Sequence, residues 1–113
     1  MGTLIKKKQA EAESFQVDEA TVIKKYGPGT KDYDVVEISV NGRHGTMMNR
    51  KSTKTYYILS GTGSFKIDDE NYEVEAADMI SVNPGSRLSI EGRDLRALII
   101  TNPPFDANDE EWA

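Results

Sequence analysis

The sequence contains no cysteine. That absence excludes disulfides, zinc–thiolate sites, iron–sulfur clusters and thiol nucleophiles together. No apolar run approaches the length of a membrane span, and the opening "MGTLIKKKQAEAE" has no apolar leader core. The chain is therefore expected in the cytoplasm, with no membrane partner. Positive charge is in deficit: 14 Lys and Arg stand against 19 Asp and Glu, a net charge of −5. Such a chain is repelled by phosphate backbones, so no nucleic-acid partner is expected. Its one basic cluster, Lys6-Lys7-Lys8, reads as a solvated end. Gly-x-Ser-x-Gly, His-Glu-x-x-His and Walker-type loops are all missing. The oxygen-rich run Asp68-Asp69-Glu70-Asn71 lacks the spacing and central glycine of a calcium loop and reads as a hairpin turn.

What is present is a β pattern. The 113 residues suit one domain, large enough to bury roughly two-thirds of its unfolded surface. An apolar fraction of 37% leaves little margin, so a second subunit covering apolar surface would help. Residues 1–14 are polar, 15–105 hold the strand signals, and 106–113 form an acidic tail. The runs "ATVIKKY", "DVVEISV", "TYYILS", "SFKI", "YEVEA", "MISV", "RLSI" and "LRALIIT" alternate with turn signals, among them Asn41-Gly42, Gly61-Thr62-Gly63 and Asn83-Pro84-Gly85. Phe65 and Ile67 share one strand face, Lys66 and Asp68 the other. Eight or nine short strands without a helical period predict an all-β antiparallel sandwich or barrel. The tail carries Phe105 near its start and Trp112 near its end, which predicts that it docks on the barrel or on a second subunit.

The segment from Gly42 to about Phe105 resembles the cupins, small jelly-roll barrels built as a double-stranded β-helix. Their first motif places His-x-His and then Glu between two glycines. Here Gly42 and Gly61 take the glycine positions, and Met48, Arg50 and Lys54 take the ligand positions. A longer gap would instead select Met47 and Asn49. The second motif resembles "ADMISVNPGSRLSIEG", with Gly85 retained and Leu88 at the histidine position. The resemblance implies a cupin barrel and a homodimer. It does not carry over the metal: Leu offers no lone pair, a thioether is a poor ligand for hard ions, and two cations repel one. No metal and no other cofactor is expected.

With Lys54 inward, strand parity turns Tyr56 and Ile58 inward too. The expected ligand pocket is lined by Met48, Arg50, Lys54, Tyr56 and Leu88. An apolar wall would take the body of a small polar or anionic organic molecule, and Arg50 or Lys54 its carboxylate or phosphate. Lys54 reads either as a desolvated amine acting as base or nucleophile, or as a structural tie to Glu37, Glu73 or Glu75. His44, in "NGRHG", reads as a general base or as a solvent-facing turn residue. Three functions follow. One is a metal-free cupin binding a small ligand. Another is a cofactor-independent isomerase, epimerase or lyase working through His44, Lys54 and Tyr56. The third is a barrel packed solid as an interaction module.

Overall fold

Tyr56 and Ile58 are buried while Tyr57 and Leu59 are exposed, the period-two alternation of a strand with one wet face. The computed structural model describes residues 2–112. Its strands are β1 (Glu13–Asp18), β2 (Thr21–Gly27), β3 (Asp34–Asn49), β4 (Thr53–Ile67), β5 (Glu70–Glu75), β6 (Met79–Val82), β7 (Arg87–Asn102) and β8 (Glu110–Trp112). Single 3-10 turns stand at Gln9–Glu11 and Ala107–Asp109. All strand pairs are antiparallel, in the order β1-β2-β3-β7-β4-β5, with β6 on β4 and β8 on β3.

β3, β4 and β7 run for 16, 15 and 16 residues, longer than the short strands expected. Asn41-Gly42 and Gly61-Thr62-Gly63 do not end strands as predicted: β3 and β4 pass through them. The same three strands pair twice, once before the glycines and once after. Asp34–Val40 and Thr53–Ser60 lie beside the end of β7, while Gly42–Met48 and Thr62–Ile67 lie beside its start. Register shifts fall between Val40 and Gly42 and between Ser60 and Thr62, so the glycines act as bulged bends. At Gly61 (φ +75°) a Cβ would collide with the Asp94 carbonyl, and at Gly92 with that of Val40. Only glycine allows backbones to meet so closely.

The bend folds the sheet over its own apolar face. Tyr56 and Phe65 are nine residues apart on β4, about 30 Å in an extended strand, yet their rings meet edge-on at 5.0 Å. Ile38, Val40, Ile58, Phe65, Ile90 and Leu95 form the centre of the core. Burying such side chains contributes roughly 1.5–3 kcal/mol each. The tail docks as expected, and it does so as a strand: β8 pairs Met47 with Trp112 and Asn49 with Glu110. Among the described residues no helix is long and apolar enough to cross a membrane.

Candidate functional site

The interior is not packed solid. A cavity of about 300 Å³ opens between the two halves of the sheet, with walls from β1, β2, β3, β4, β7 and the C-terminal segment. This is the low end of the range for small-organic-molecule sites. The walls are mostly apolar, Val36, Ile38 and Ile99 among them, and the polar groups facing in are few: His44, Lys54, Tyr56, Thr101, Glu110 and Lys25.

His44 is buried, at 2% exposure, and does not stand in a solvent-facing turn. It sits on β3 just past the bend. A second register shift, between His44 and Met47, lets both face inward although they are three residues apart. Its Nδ1 lies 3.0 Å from Asp18 Oδ2 and 3.1 Å from Thr21 Oγ1. Asp18 is fixed by its own turn: Oδ1 accepts from Ala20 N at 2.9 Å, and Oδ2 accepts from Gly45 N at 3.2 Å. Burial opposes ionisation of Asp18, but hydrogen bonds from His44, Thr21, Ala20 and Gly45 outweigh it and bring its pKa to about 2. Burial likewise lowers the His44 pKa below its ordinary value, against the opposing pull of Asp18. At neutral pH the carboxylate only accepts, so Nδ1 carries the proton and Nε2 the lone pair. Nε2 has no partner among the described residues. It is not sealed off, because Asp34 Oδ1 is the one enclosed side-chain N or O atom there without a partner.

Lys54 reaches inward from β4 and pairs with Glu110 Oε2 at 3.3 Å, both side chains about nine-tenths buried. The partner is thus a tail carboxylate. Glu37 is instead held by Arg96 Nη2 at 3.1 Å, and Glu73 lies near Arg93 at the surface. Burial lowers the Lys54 pKa while Glu110 raises it. Tyr56 is also inward, and burial pushes its phenol pKa up, so it stays a hydrogen-bond donor. Trp112 closes one wall, edge-on to His44 at 5.6 Å.

The remaining expected site residues lie elsewhere. Arg50 points outward, donating to Asn108 O at 2.9 Å and pairing with Glu111. Met48 is half-buried and does not line the cavity. The bulge after His44 reverses the parity assumed for them, turning Met47 and Asn49 inward. Leu88 packs in the core and borders only a void of about 10 Å³. Sequence reasoning missed Asp18, Thr21, Glu110 and the aromatic wall. Of these, only the tail aromatics left a signal.

The transition metal common in cupins does not fit these positions. The inward groups there are a thioether, an amide bound to Asp109, an ammonium tied to a carboxylate, and a leucine. Among the described residues no three His, Asp or Glu side chains cluster as a metal site.

No family model matches the chain. Over 63 residues it is 35% identical to an uncharacterized protein of Methanocaldococcus jannaschii, a match spanning 53% of this chain and 50% of that one. The chain thus aligns with about half the length of that curated relative. Among solved structures it is similar to Pac13 of Streptomyces, described as a nucleoside dehydratase. That likeness has a TM-score of 0.90 and 29% identity, covering 98% of this chain and 92% of Pac13. Variants of Pac13 with a histidine changed to glutamine, or a tyrosine to phenylalanine, are known with uridine. Ectoine synthase of P. lautus (TM-score 0.79, 14% identity, 96% and 89% covered) and KdgF of Halomonas sp. (0.76, 15%, 86% and 91%) share the fold. From its folded-over antiparallel strands and these likenesses, the chain has the cupin fold, a double-stranded β-helix of the jelly-roll kind.

Proposed function

We propose that this cupin binds a nucleoside-type ligand in its cavity and removes water from it without a metal, with His44 as the base. The observation that carries the reading is the contact of Asp18 with His44 Nδ1, which leaves Nε2 unpartnered on a ring that lines the cavity. Full-length likeness to a nucleoside dehydratase at 29% identity supports the ligand class. In this reading Nε2 takes a proton from a carbon acidified by a neighbouring carbonyl. The electron pair forms a C=C bond, and the C–O bond to the β-hydroxyl breaks. The departing hydroxide takes that proton back from the His44 imidazolium and leaves as water, which returns the base to its neutral form. Tyr56 and Lys54 face the same space as hydrogen-bond donors and would steady the oxygen atoms that gain charge.

The test is calorimetric titration with uridine and with a sugar of similar size lacking the base, on the native chain and on His44→Gln. Uridine should bind and the sugar should bind far more weakly. The variant should keep uridine binding and lose all dehydration of a nucleoside that carries a carbonyl beside the acidic C–H. Absence of uridine binding would remove the nucleoside reading.

A homodimer is part of the same proposal. Tyr57, Leu59, Met79 and Ile100 are exposed on the outer face of the sheet, and Tyr57 and Met79 are register partners. Exposed apolar side chains gathered on one sheet face suit an association surface, and a second copy is the occupant proposed for it.

A further inference from the structure

Charge around the cavity is nearly all spoken for. His44 is tied to Asp18 and Lys54 to Glu110. Lys25 of β2 also lines the cavity, and it has no carboxylate partner among the described residues. Its ammonium instead lies 5.7 Å from the centroid of the Phe15 ring and 5.4 Å from that of Phe105. The two centroids are therefore within about 11 Å of each other. Both rings line the cavity too, at 45% and 44% exposure. An unneutralised cation thus stands at the cavity mouth of an acidic protein, between two half-wet aromatic rings.

We infer that Lys25, Phe15 and Phe105 form an anion subsite at the mouth, and that the ligand carries a phosphate or carboxylate there. This inference rests on the nucleoside reading for the rest of the ligand. It assigns the substrate class as an anionic nucleoside, one that carries a phosphate or carboxylate in addition to the carbonyl the dehydration needs, and not the neutral nucleoside. The two rings hold the ammonium at the mouth by cation–π contact, where it stays charged and open to an incoming anion. Arg50, the cation that sequence parity offered for this role, faces outward and is paired with Glu111. Lys54 is already neutralised. Lys25 is the cavity cation left to meet a ligand charge.

The experiment compares dissociation constants of uridine, uridine 5′-monophosphate and uridine 5′-carboxylate on the native chain and on Lys25→Gln, a surface change that leaves the fold intact. Phenol and phenyl phosphate, which carry no ribose, form a second pair of probes. One or both anionic nucleosides should bind about tenfold more tightly than uridine, and the carboxylate arm against the phosphate arm identifies the group. Lys25→Gln should bring that ratio close to one, weakening the anions far more than it changes uridine affinity. Equal binding of uridine and both anions to the native chain overturns the subsite and leaves the nucleoside reading standing. A preference for phenyl phosphate over phenol that depends on Lys25, with no nucleoside binding, supports the subsite and removes the nucleoside reading. No preference for the anion in either pair overturns the subsite.

Discussion

His44 Nδ1 lies 3.0 Å from Asp18 Oδ2, a contact that joins the end of β1 to the middle of β3 and leaves Nε2 as the ring nitrogen without a partner among the described residues. With Asp18→Asn the amide can either donate or accept, and the tautomer is no longer imposed. Under the proposed dehydration, turnover should fall by two to four orders of magnitude, as when the orienting acid of a triad is replaced by its amide. The His44 pKa should fall further below 6.5, because Asp18 is the largest influence raising it against burial. Proton NMR titration of the single histidine checks this directly. An unchanged or raised His44 pKa would contradict the assigned contact.

The same pair sets how stability depends on pH. The folded-state pKa of His44 lies below its ordinary 6.5, so the unfolded chain takes up that proton first. Stability should start to decline as pH falls below about 6.5. Asp18 is depressed from 3.8 to about 2, so its contribution is complete above pH 3.8 and is lost as pH falls toward 2. Its carboxylate is partly wet, at 29% exposure, so it contributes on the order of 1 kcal/mol after screening. Urea denaturation across pH should show both declines. His44→Gln should remove the upper one and Asp18→Asn the lower.

Asp109 is what seats the tail. Its carboxylate accepts from Lys51 N at 2.6 Å, Ser52 N at 3.1 Å and Asn49 Nδ2 at 3.3 Å. These bonds hold its pKa down although burial opposes ionisation. Asp109→Ala leaves two backbone donors bare at a buried turn and should cost about 3 kcal/mol. Because Trp112 is the only tryptophan and packs on His44, its fluorescence reads the tail. The variant should show greater acrylamide quenching well below its unfolding midpoint. Quenching equal to that of the native chain would mean the tail does not depend on Asp109.

Disrupting the proposed dimer patch gives a separate test. Tyr57→Lys and Ile100→Lys change exposed positions on the outer sheet face. Each should convert a dimer to a monomer in sedimentation velocity, with far-ultraviolet circular dichroism unchanged. A native chain that sediments as a monomer at high concentration would rule the dimer out.

Architecture was legible in the sequence where local pattern decides it. The runs at "DVVEISV", "TYYILS" and "LRALIIT" lie in β3, β4 and β7, and the inward parity of Lys54, Tyr56 and Ile58 follows from alternation alone. Asn41-Gly42 misleads because the same glycine freedom that makes a tight turn also makes a bulged bend. Which one forms depends on β7 lying alongside, a partner about 50 residues away in sequence. One such bulge, after His44, exchanges Met48 and Arg50 for Met47 and Asn49 on the inner face. Asp18 carries no local mark of its role, because its meeting with His44 across 26 residues exists only once β1 and β3 share a sheet.

The buried pair of Lys54 and Glu110 tests whether the tail belongs to the site electrostatically as well as sterically. Removing one partner leaves an uncompensated charge in an apolar cavity, and Glu110→Gln should destabilise the chain by about 3 kcal/mol. Removing both charges, as Lys54→Met with Glu110→Gln, should recover most of that loss, because no buried ion is then left alone. In Glu110→Gln the Lys54 pKa should drop further, since Glu110 is the largest influence raising it against burial. Stability of that variant should therefore rise with pH from the depressed folded-state pKa of Lys54 and level off near 10.5, where the unfolded chain also gives up the lysine proton. The double variant should lack this rise. Chemical denaturation of the three variants between neutral and alkaline pH separates the outcomes. If Glu110→Gln proves as stable as the double variant at every pH, the two charges do not meet in the folded chain.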